Sequence, residues 1–246
     1  MLEDDFNDVL GKAIRGQAFN PSSLDIEPAK LRACLNGEFN QEIIEAISPY
    51  LQLDTQKLLN LPDYNPAVNL PYNVNTFVSS FGHLGVNGFT VENNTHILIF
   101  DTGTNSKECL NYISQHPDKE KHLFITHPHP DHLGCQQDFT AHVETSQQLA
   151  PNQTLTFGDI TLRSLDVAGH APIATAYLIN GLSAPICIVG DALFAGSIGG
   201  VSAPLYQQAL NHIRNHILSL PEDTLILNGH GPATSVLLEK ENNPFF

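Results

Sequence analysis

Residues 127–132 read His127-Pro128-His129-Pro130-Asp131-His132 and follow directly on the apolar run Leu123-Phe124-Ile125-Thr126. The run is typical of a buried β-strand, and the turn after it carries three imidazoles and a carboxylate. Imidazole nitrogen and carboxylate oxygen suit zinc, with iron or manganese as alternatives. The two prolines fix φ and restrict the residue before each, so the turn is stiff before any metal binds. The alternative is a surface loop that binds nothing, so further ligands must come from elsewhere in the chain.

Three more segments place one potential metal ligand after an apolar run. They are His170 downstream of residues 160–162, Asp191 directly after residues 186–190, and His230 shortly after residues 225–228. Taken singly, each of these residues fits a turn or helix-capping role. Because α/β proteins build their sites at the carboxyl ends of strands, four segments of this kind predict one shared site.

Together these motifs resemble those of the metallo-β-lactamase-fold hydrolases, in their glyoxalase II-like (hydroxyacylglutathione hydrolase-like) branch. That family carries HxHxDH, then GH, GD and GH. This chain has, in the same order, HPHPDH, Gly169-His170, Gly190-Asp191 and Gly229-His230. The early Asp101-Thr102-Gly103 and the closing segment from Gly229 through Glu239 to Phe246 match as well. Over residues 71–246 the resemblance implies an α/β fold, a four-layer αβ/βα sandwich with the metals at one edge.

The resemblance also implies two divalent metal ions, zinc first, with iron or manganese as alternatives. His127, His129 and His170 would bind the first metal, Asp131, His132 and His230 the second, and Asp191 would bridge them. A hydroxide shared by two such metals is a strong nucleophile at neutral pH, and Asp131 could also steer its proton to the leaving group. We expect Asp101 to accept a hydrogen bond from a ligating imidazole, with a turn-forming role as the alternative.

The chain departs from the family pattern where related thioesterases bind glutathione. The segment from Asp191 to Gly200 has no basic residue after its glycines, and the usual HLGG and GHTPG read HLGC and GHAPI. We also expect no basic helical domain of the kind that long glyoxalase II proteins use for glutathione. The motifs therefore support metal chemistry but provide no glutathione handle.

Residues 1–66 predict a small all-helical domain in front of a catalytic domain at 71–246. Helical spacing recurs at 5–15, 28–35 and 42–51, Asp54 is expected to cap a further turn, and residues 61–66 form a Pro/Asn-rich break. The helical spacing resembles that of a Cro/C1-type helix-turn-helix domain. The region holds five basic residues against eleven acidic ones, so we expect it to pack on the catalytic domain or build a homodimer rather than bind DNA.

The composition predicts an acidic, globular, cytoplasmic protein with a small-molecule substrate. A formal net charge of −15 opposes binding to nucleic acid and to anionic membranes. The start Met1-Leu2-Glu3-Asp4-Asp5 has no basic or apolar leader-like region, so we expect no secretory leader, and no apolar run approaches membrane length. The four cysteines form no close pair, so we expect reduced thiols. We expect the glycine loop around His83 to form a lid and His122 to be exposed to solvent.

These observations favour a binuclear metal-dependent hydrolase acting on a thioester or a related acyl compound. Persulfide dioxygenase, lactonase and phosphodiesterase activities are alternatives on the same fold. The intact set Asp131, His132 and His230 argues against the dioxygenase, for which one iron suffices. An alternative of another class is a DNA-binding regulator whose metal domain senses a ligand. Specificity would lie in loops such as residues 80–87 and 192–204.

Overall fold

The computed structural model describes residues 1–82 and 84–246, so His83 of the expected lid loop lies outside the described residues. The α-helices are α1 (Phe6–Gly16), α2 (Pro28–Leu35), α3 (Gln41–Ile47), α4 (Thr55–Asn60), α5 (Lys107–Ser114), α6 (Pro130–Leu133), α7 (Gln136–Phe139), α8 (Ala203–His212) and α9 (Val236–Asn242). The strands are β1 (Val74–Phe81), β2 (Leu84–Glu92), β3 (His96–Phe100), β4 (Glu120–Phe124), β5 (Thr145–Gln147), β6 (Thr154–Phe157), β7 (Ile160–Asp166), β8 (Thr175–Asn180), β9 (Ile186–Gly190), β10 (Leu193–Phe194), β11 (Ser197–Ile198), β12 (Leu225–Asn228) and β13 (Thr234–Ser235).

Two sheets face each other. The first has the strand order β1-β2-β3-β4-β5, and the second has the order β13-β12-β9-β8-β7-β6. Strands β3, β4 and β5 run parallel, and so do β9 and β12. The carboxyl ends of β4, β9 and β12 meet at one edge of the sandwich, and three of the ligand-bearing segments follow these ends.

Aromatic side chains fill the space between the sheets. The ring centroids of Phe100 and Tyr177 lie 5.5 Å apart, and those of Phe124 and Phe157 lie 6.0 Å apart. Each pair joins one sheet to the other. All four side chains belong to one buried apolar cluster that also contains branched aliphatic residues from both sheets. This interior fixes the spacing of the two strand edges that carry the metal ligands.

Helices cover both outer faces, which confirms the expected four-layer α/β sandwich. On the first sheet, Ile99 and Leu123 pack in one cluster with Ile113 of α5. On the second sheet, the outer face packs against α8 and the helices of the first 60 residues in a single apolar cluster. The predicted division at residues 66 and 71 stays a prediction, and the core is continuous across it. Within residues 1–82 and 84–246, no helix combines the length and the hydropathy needed to cross a bilayer.

The amino-terminal helices approach the second sheet closely. A Cβ on Gly16, at the end of α1, would lie 2.1 Å from a ring atom of Tyr206 in α8. The predicted helix at 42–51 is α3 followed by a 3₁₀ turn at Ser48–Leu51, where Pro49 has no amide hydrogen to donate. Asp54 accepts a hydrogen bond from the amide of Lys57 and so caps α4 as expected. The helix-turn-helix resemblance stays a prediction.

The expectation that His122 is exposed is wrong. His122 retains 9% of its accessible surface. It lies two residues before Phe124 in β4, so both side chains are on the face of this strand that turns towards the second sheet. Its ring centroid lies 4.6 Å from that of Phe157. The sequence predicted exposure because His122 follows two charged residues, Glu120 and Lys121.

Candidate metal centre

The structure brings all seven predicted ligands together at one edge of the sandwich. His127, His129, Asp131 and His132 follow β4, His170 follows β7, Asp191 follows β9 and His230 follows β12. Each residue lies in the segment that follows a strand of the core, so the packed strand fixes where that segment begins. The prolines at 128 and 130 separate the ligands of the first segment, and α6 begins at the second of them.

Three imidazoles form the first ligand group. Nδ1 of His129 lies 3.1 Å from Nε2 of His127 and 3.0 Å from Nε2 of His170. Nitrogen atoms that share a tetrahedral zinc at the usual bond length are about 3.3 Å apart. The three nitrogens therefore have the spacing of ligands to one cation.

Asp131, His132 and His230 form the second group, and Asp191 lies between the two groups. Nε2 of His230 is 3.3 Å from Oδ2 of Asp131 and 3.3 Å from Oδ2 of Asp191. The same Asp191 oxygen is 3.5 Å from Nε2 of His170 in the first group. One carboxylate thus contacts both groups, which is the arrangement expected of a bridging ligand.

Hydrogen bonds at the far ring nitrogens hold the imidazoles in place. Nδ1 of His132 donates to the Asp101 carboxylate at 2.8 Å, which confirms the expected role of Asp101. Two further rings donate to backbone carbonyls, His170 to Gly200 at 2.9 Å and His230 to Gly85 at 2.8 Å. Each of these bonds leaves Nε2 free and directed at Asp191. Such outer partners fix the tautomer and the ring orientation of metal ligands.

Asp101 is itself held rigidly. Its Oδ1 accepts from the amide of Thr126 at 2.8 Å, and its Oδ2 accepts from the Thr126 hydroxyl at 2.7 Å. Its backbone has φ of 56°, a left-handed conformation that a residue with a side chain adopts only when its surroundings impose it. The end of β3 therefore positions a ligand that follows β4.

We expect Asp101→Asn to weaken metal binding at the second group by about 10- to 100-fold, because the amide cannot reproduce the charge-assisted bond to His132. The measurement is competitive titration with a chromophoric zinc chelator. Asp118→Asn, at an exposed position, is the matched control. Unchanged affinity in the Asp101 variant would contradict the positioning role.

Electrostatics inside the centre suit a cation. Burial lowers the pKa of His127 to about 3, so this imidazole is neutral and its lone pair is available. Burial raises the pKa of the Asp191 carboxyl, but the His132 and His230 imidazoles outweigh burial and hold that pKa well below its usual range. The carboxylate is therefore ionised, as a metal ligand must be.

Two buried ligand atoms that lack hydrogen-bond partners also indicate a metal site. Nε2 of His132 and Oδ1 of Asp191 are buried and have no hydrogen-bond partner within the described part of the chain, although they lie 3.2 Å apart. An unpaired buried polar group costs about 1–3 kcal/mol. A Cβ on Gly229 would lie 2.1 Å from the same Asp191 oxygen, so only glycine leaves this atom room. A bound cation would satisfy both atoms.

The centre opens into a pocket of about 530 Å³, and one wall of this pocket, the amino-terminal wall, comes from the first helix and the residues just before it. Glu3, Asp4, Asp8 and Lys12 line it together with five of the ligands. The Lys12 ammonium donates to the Asp4 carboxylate and to the Ile198 carbonyl at 2.8 Å, and it lies 4.8 Å from the centroid of Phe194. No sequence pattern signals this wall, because a charged amino-terminal segment remote from the motifs looks like a solvated surface.

Comparisons with known proteins agree with the geometry. A family model described as the metallo-beta-lactamase superfamily matches residues 82–147. The probable metallo-hydrolase YqgX of Bacillus subtilis is 27% identical over 199 residues, which cover 67% of this chain and 93% of that protein. The crystal structure of the BLEG-1 B3 metallo-beta-lactamase superimposes with a TM-score of 0.58 at 24% identity, covering 69% of this chain and 98% of that one.

The fold is that of the metallo-β-lactamases. The chain is also 26% identical over 183 residues to the hydroxyacylglutathione hydrolase GloC of Haemophilus influenzae, covering 60% of this chain and 85% of that protein. The matches to YqgX and GloC therefore leave 33% and 40% of this chain uncovered. The amino-terminal wall is part of the described pocket all the same.

Proposed function

We propose that the chain is a binuclear metal-dependent hydrolase that acts on a thioester or a related acyl compound. The observation that supports this best is the Asp191 oxygen, which lies 3.5 Å from a nitrogen of the first ligand group and 3.3 Å from one of the second. A carboxylate between two sets of three ligands suits two cations that share a bridging ligand. Similarity to proteins named metallo-hydrolase and hydroxyacylglutathione hydrolase supports the same reaction class.

The residues of the chain have separable roles in this reaction. Two divalent cations in these groups would activate water as a nucleophile and polarise the acyl carbonyl, and zinc suits the nitrogen and oxygen donors. Asp131 lines the pocket, where its carboxylate would take a proton from the attacking water and pass it to the leaving group. Asp101 holds the His132 ring, and Gly229 leaves room for Asp191.

The amino-terminal wall, formed by residues that precede α1 and by two residues of α1, bears on the substrate. It presents the carboxylates of Glu3, Asp4 and Asp8, and its Lys12 is already paired with Asp4. A glutathione thioester carries two carboxylates, which this wall would repel. The segment from Asp191 to Gly200 supplies no basic residue to offset the repulsion. We infer that the preferred acyl substrate has no anionic handle at this wall.

The same helices argue against a nucleic-acid partner. Of the two cations on α2, Lys30 already pairs with Glu27 at 3.6 Å. The first eight residues contribute three acidic side chains, Glu3, Asp4 and Asp8, to the pocket, and the chain has a net charge of −15. Phosphate contacts require several free cations on one face. We propose a small-molecule substrate and no DNA.

The test is hydrolysis by zinc-loaded protein of S-lactoylglutathione and of an uncharged thioester of similar acyl size, followed by loss of thioester absorbance. We expect a chelator to abolish both activities and kcat/KM to be at least about tenfold higher for the uncharged thioester. Hydrolysis that survives chelation and dialysis would refute the metal-dependent reaction. Equal rates on the two substrates would refute only the inference from the wall.

A further inference from the structure

A second cluster of metal-ligating side chains lies away from the catalytic pocket. His96 begins β3 and stands opposite Glu120, the first residue of β4, and His122 lies two residues further along β4. All three are therefore on the same face of the first sheet. They lie at the amino ends of these parallel strands, whereas the metal centre described above follows the carboxyl end of β4.

The three side chains converge on one point. Oε2 of Glu120 lies 3.5 Å from Nε2 of His96 and 3.8 Å from Nε2 of His122, and all three atoms lie within 4.8 Å of one another. Ligand atoms around a tetrahedral zinc are about 3.3 Å apart. The Glu120 side chain is 64% exposed, so it can rotate to close the remaining gap without disturbing the core.

Threonine hydroxyls hold both rings by their other nitrogen. Nδ1 of His96 is 2.7 Å from Oγ1 of Thr95, and Nδ1 of His122 is 3.2 Å from Oγ1 of Thr145. The two rings are stacked, with centroids 5.7 Å apart. Both Nε2 atoms therefore face the carboxylate, in the way that outer partners orient the ligands of metal sites.

His122 supplies an independent sign of a missing ligand. Its Nε2 is buried and has no hydrogen-bond partner among the residues that the structure describes. Packing on Phe157 fixes the ring, so it cannot turn this atom to solvent. Burial, together with the neighbouring His96, lowers the pKa of His122 and keeps the imidazole neutral. A neutral nitrogen with a free lone pair in a buried position is unsatisfied unless it binds a cation or a donor.

The surrounding charges favour a cation. Glu144, which precedes β5, attracts positive charge at His122 in addition to Glu120. Lys121, which lies between Glu120 and His122 in sequence, donates to the carbonyls of His116 and Lys119 at 2.6 Å each. Its ammonium is thus engaged away from the ligand atoms.

We propose that His96, Glu120 and His122 bind a divalent transition metal of the zinc class, as a site separate from the catalytic pair. Two imidazole nitrogens and one carboxylate oxygen form a donor set that zinc accepts, with water as the fourth ligand. Bound there, the metal ties β3 to β4 at the end opposite the pocket. The site is structural, since no pocket residue contributes to it.

The test is zinc content after equilibrium dialysis against micromolar free Zn²⁺, measured by elemental analysis. The wild-type chain is expected to bind about three zinc ions, and His96→Gln/Glu120→Gln about two, because both replaced side chains are ligands that lie at the protein surface. The double variant should retain wild-type kcat and show a smaller zinc-dependent rise in Tm than the wild-type chain, because only the catalytic pair still binds zinc. The matched control is His142→Gln/Glu108→Gln, which replaces the same residue types at exposed positions.

A second comparison isolates the site. In a His129→Ala/Asp191→Asn background, which removes catalytic ligands, about one tightly bound zinc should remain and should disappear when His96→Gln/Glu120→Gln is added. Unchanged zinc content in the double variant, or a wild-type content of two, would overturn the proposal. Neither result would bear on the proposed hydrolysis, which is measured separately.

Discussion

Replacing His129 by alanine is expected to reduce hydrolysis by about 10³-fold or more and to remove about one metal ion per chain. Nδ1 of His129 is the atom that joins the first group, at 3.1 Å and 3.0 Å from the nitrogens of His127 and His170. Without it, the first metal keeps only two imidazoles and the Asp191 carboxylate that it shares with the second group, so its binding weakens. The measurements are initial rates on the preferred thioester and zinc content by elemental analysis.

Circular dichroism should show an unchanged fold, because His129 is only half-buried and lies in a turn outside the apolar clusters. His142→Ala, at an exposed position, is the matched control and should keep full activity. Full activity of the His129 variant would rule out the proposed centre. Loss of activity with unchanged metal content would show that His129 contacts the substrate and does not bind the metal.

Replacing Glu239 by alanine is expected to lower the free energy of unfolding by about 3–5 kcal/mol. The Glu239 side chain is fully buried and accepts four hydrogen bonds. The donors are Tyr64 Oη at 2.7 Å, Thr234 Oγ1 at 2.8 Å, the Gly196 amide at 3.0 Å and Asn243 Nδ2 at 2.8 Å. Truncation leaves these four donors without an acceptor and creates a cavity. Both effects lower the free energy of unfolding.

Glu239 joins the end of the helical region, the segment after Asp191 and the carboxyl-terminal residues, so its loss should also loosen the pocket. Urea unfolding monitored by circular dichroism gives the free energy. Glu241→Ala, exposed on the same helix α9, should change it by less than about 0.5 kcal/mol. A loss below about 1 kcal/mol for the Glu239 variant would show that water replaces the carboxylate.

The sequence was sufficient to predict the strands and the side chains that follow them. Apolar runs marked β4, β9 and β12, and each was followed within a few residues by His or Asp. The reason is local: alternation, proline restriction and glycine turns act over a few neighbouring residues and are written in the chain directly. That all these ends meet at one edge followed from the general behaviour of parallel strands and from the family motif order.

The tertiary structure decided what depends on contacts between distant segments. It turned His122 inward beside His96 and Glu120, and no local pattern reports the register of two parallel strands. It also brought Lys12 to its acceptor at Ile198, 186 residues away in sequence, and so made the amino-terminal segment a wall of the pocket. Periodicity shows which face of a helix is buried, but the partner of that face is set by packing of the whole core. The sequence by itself therefore determined the fold class and predicted the candidate ligands, whereas only packing decided the pocket wall, the hydrogen bonds around Glu239 and the second cluster.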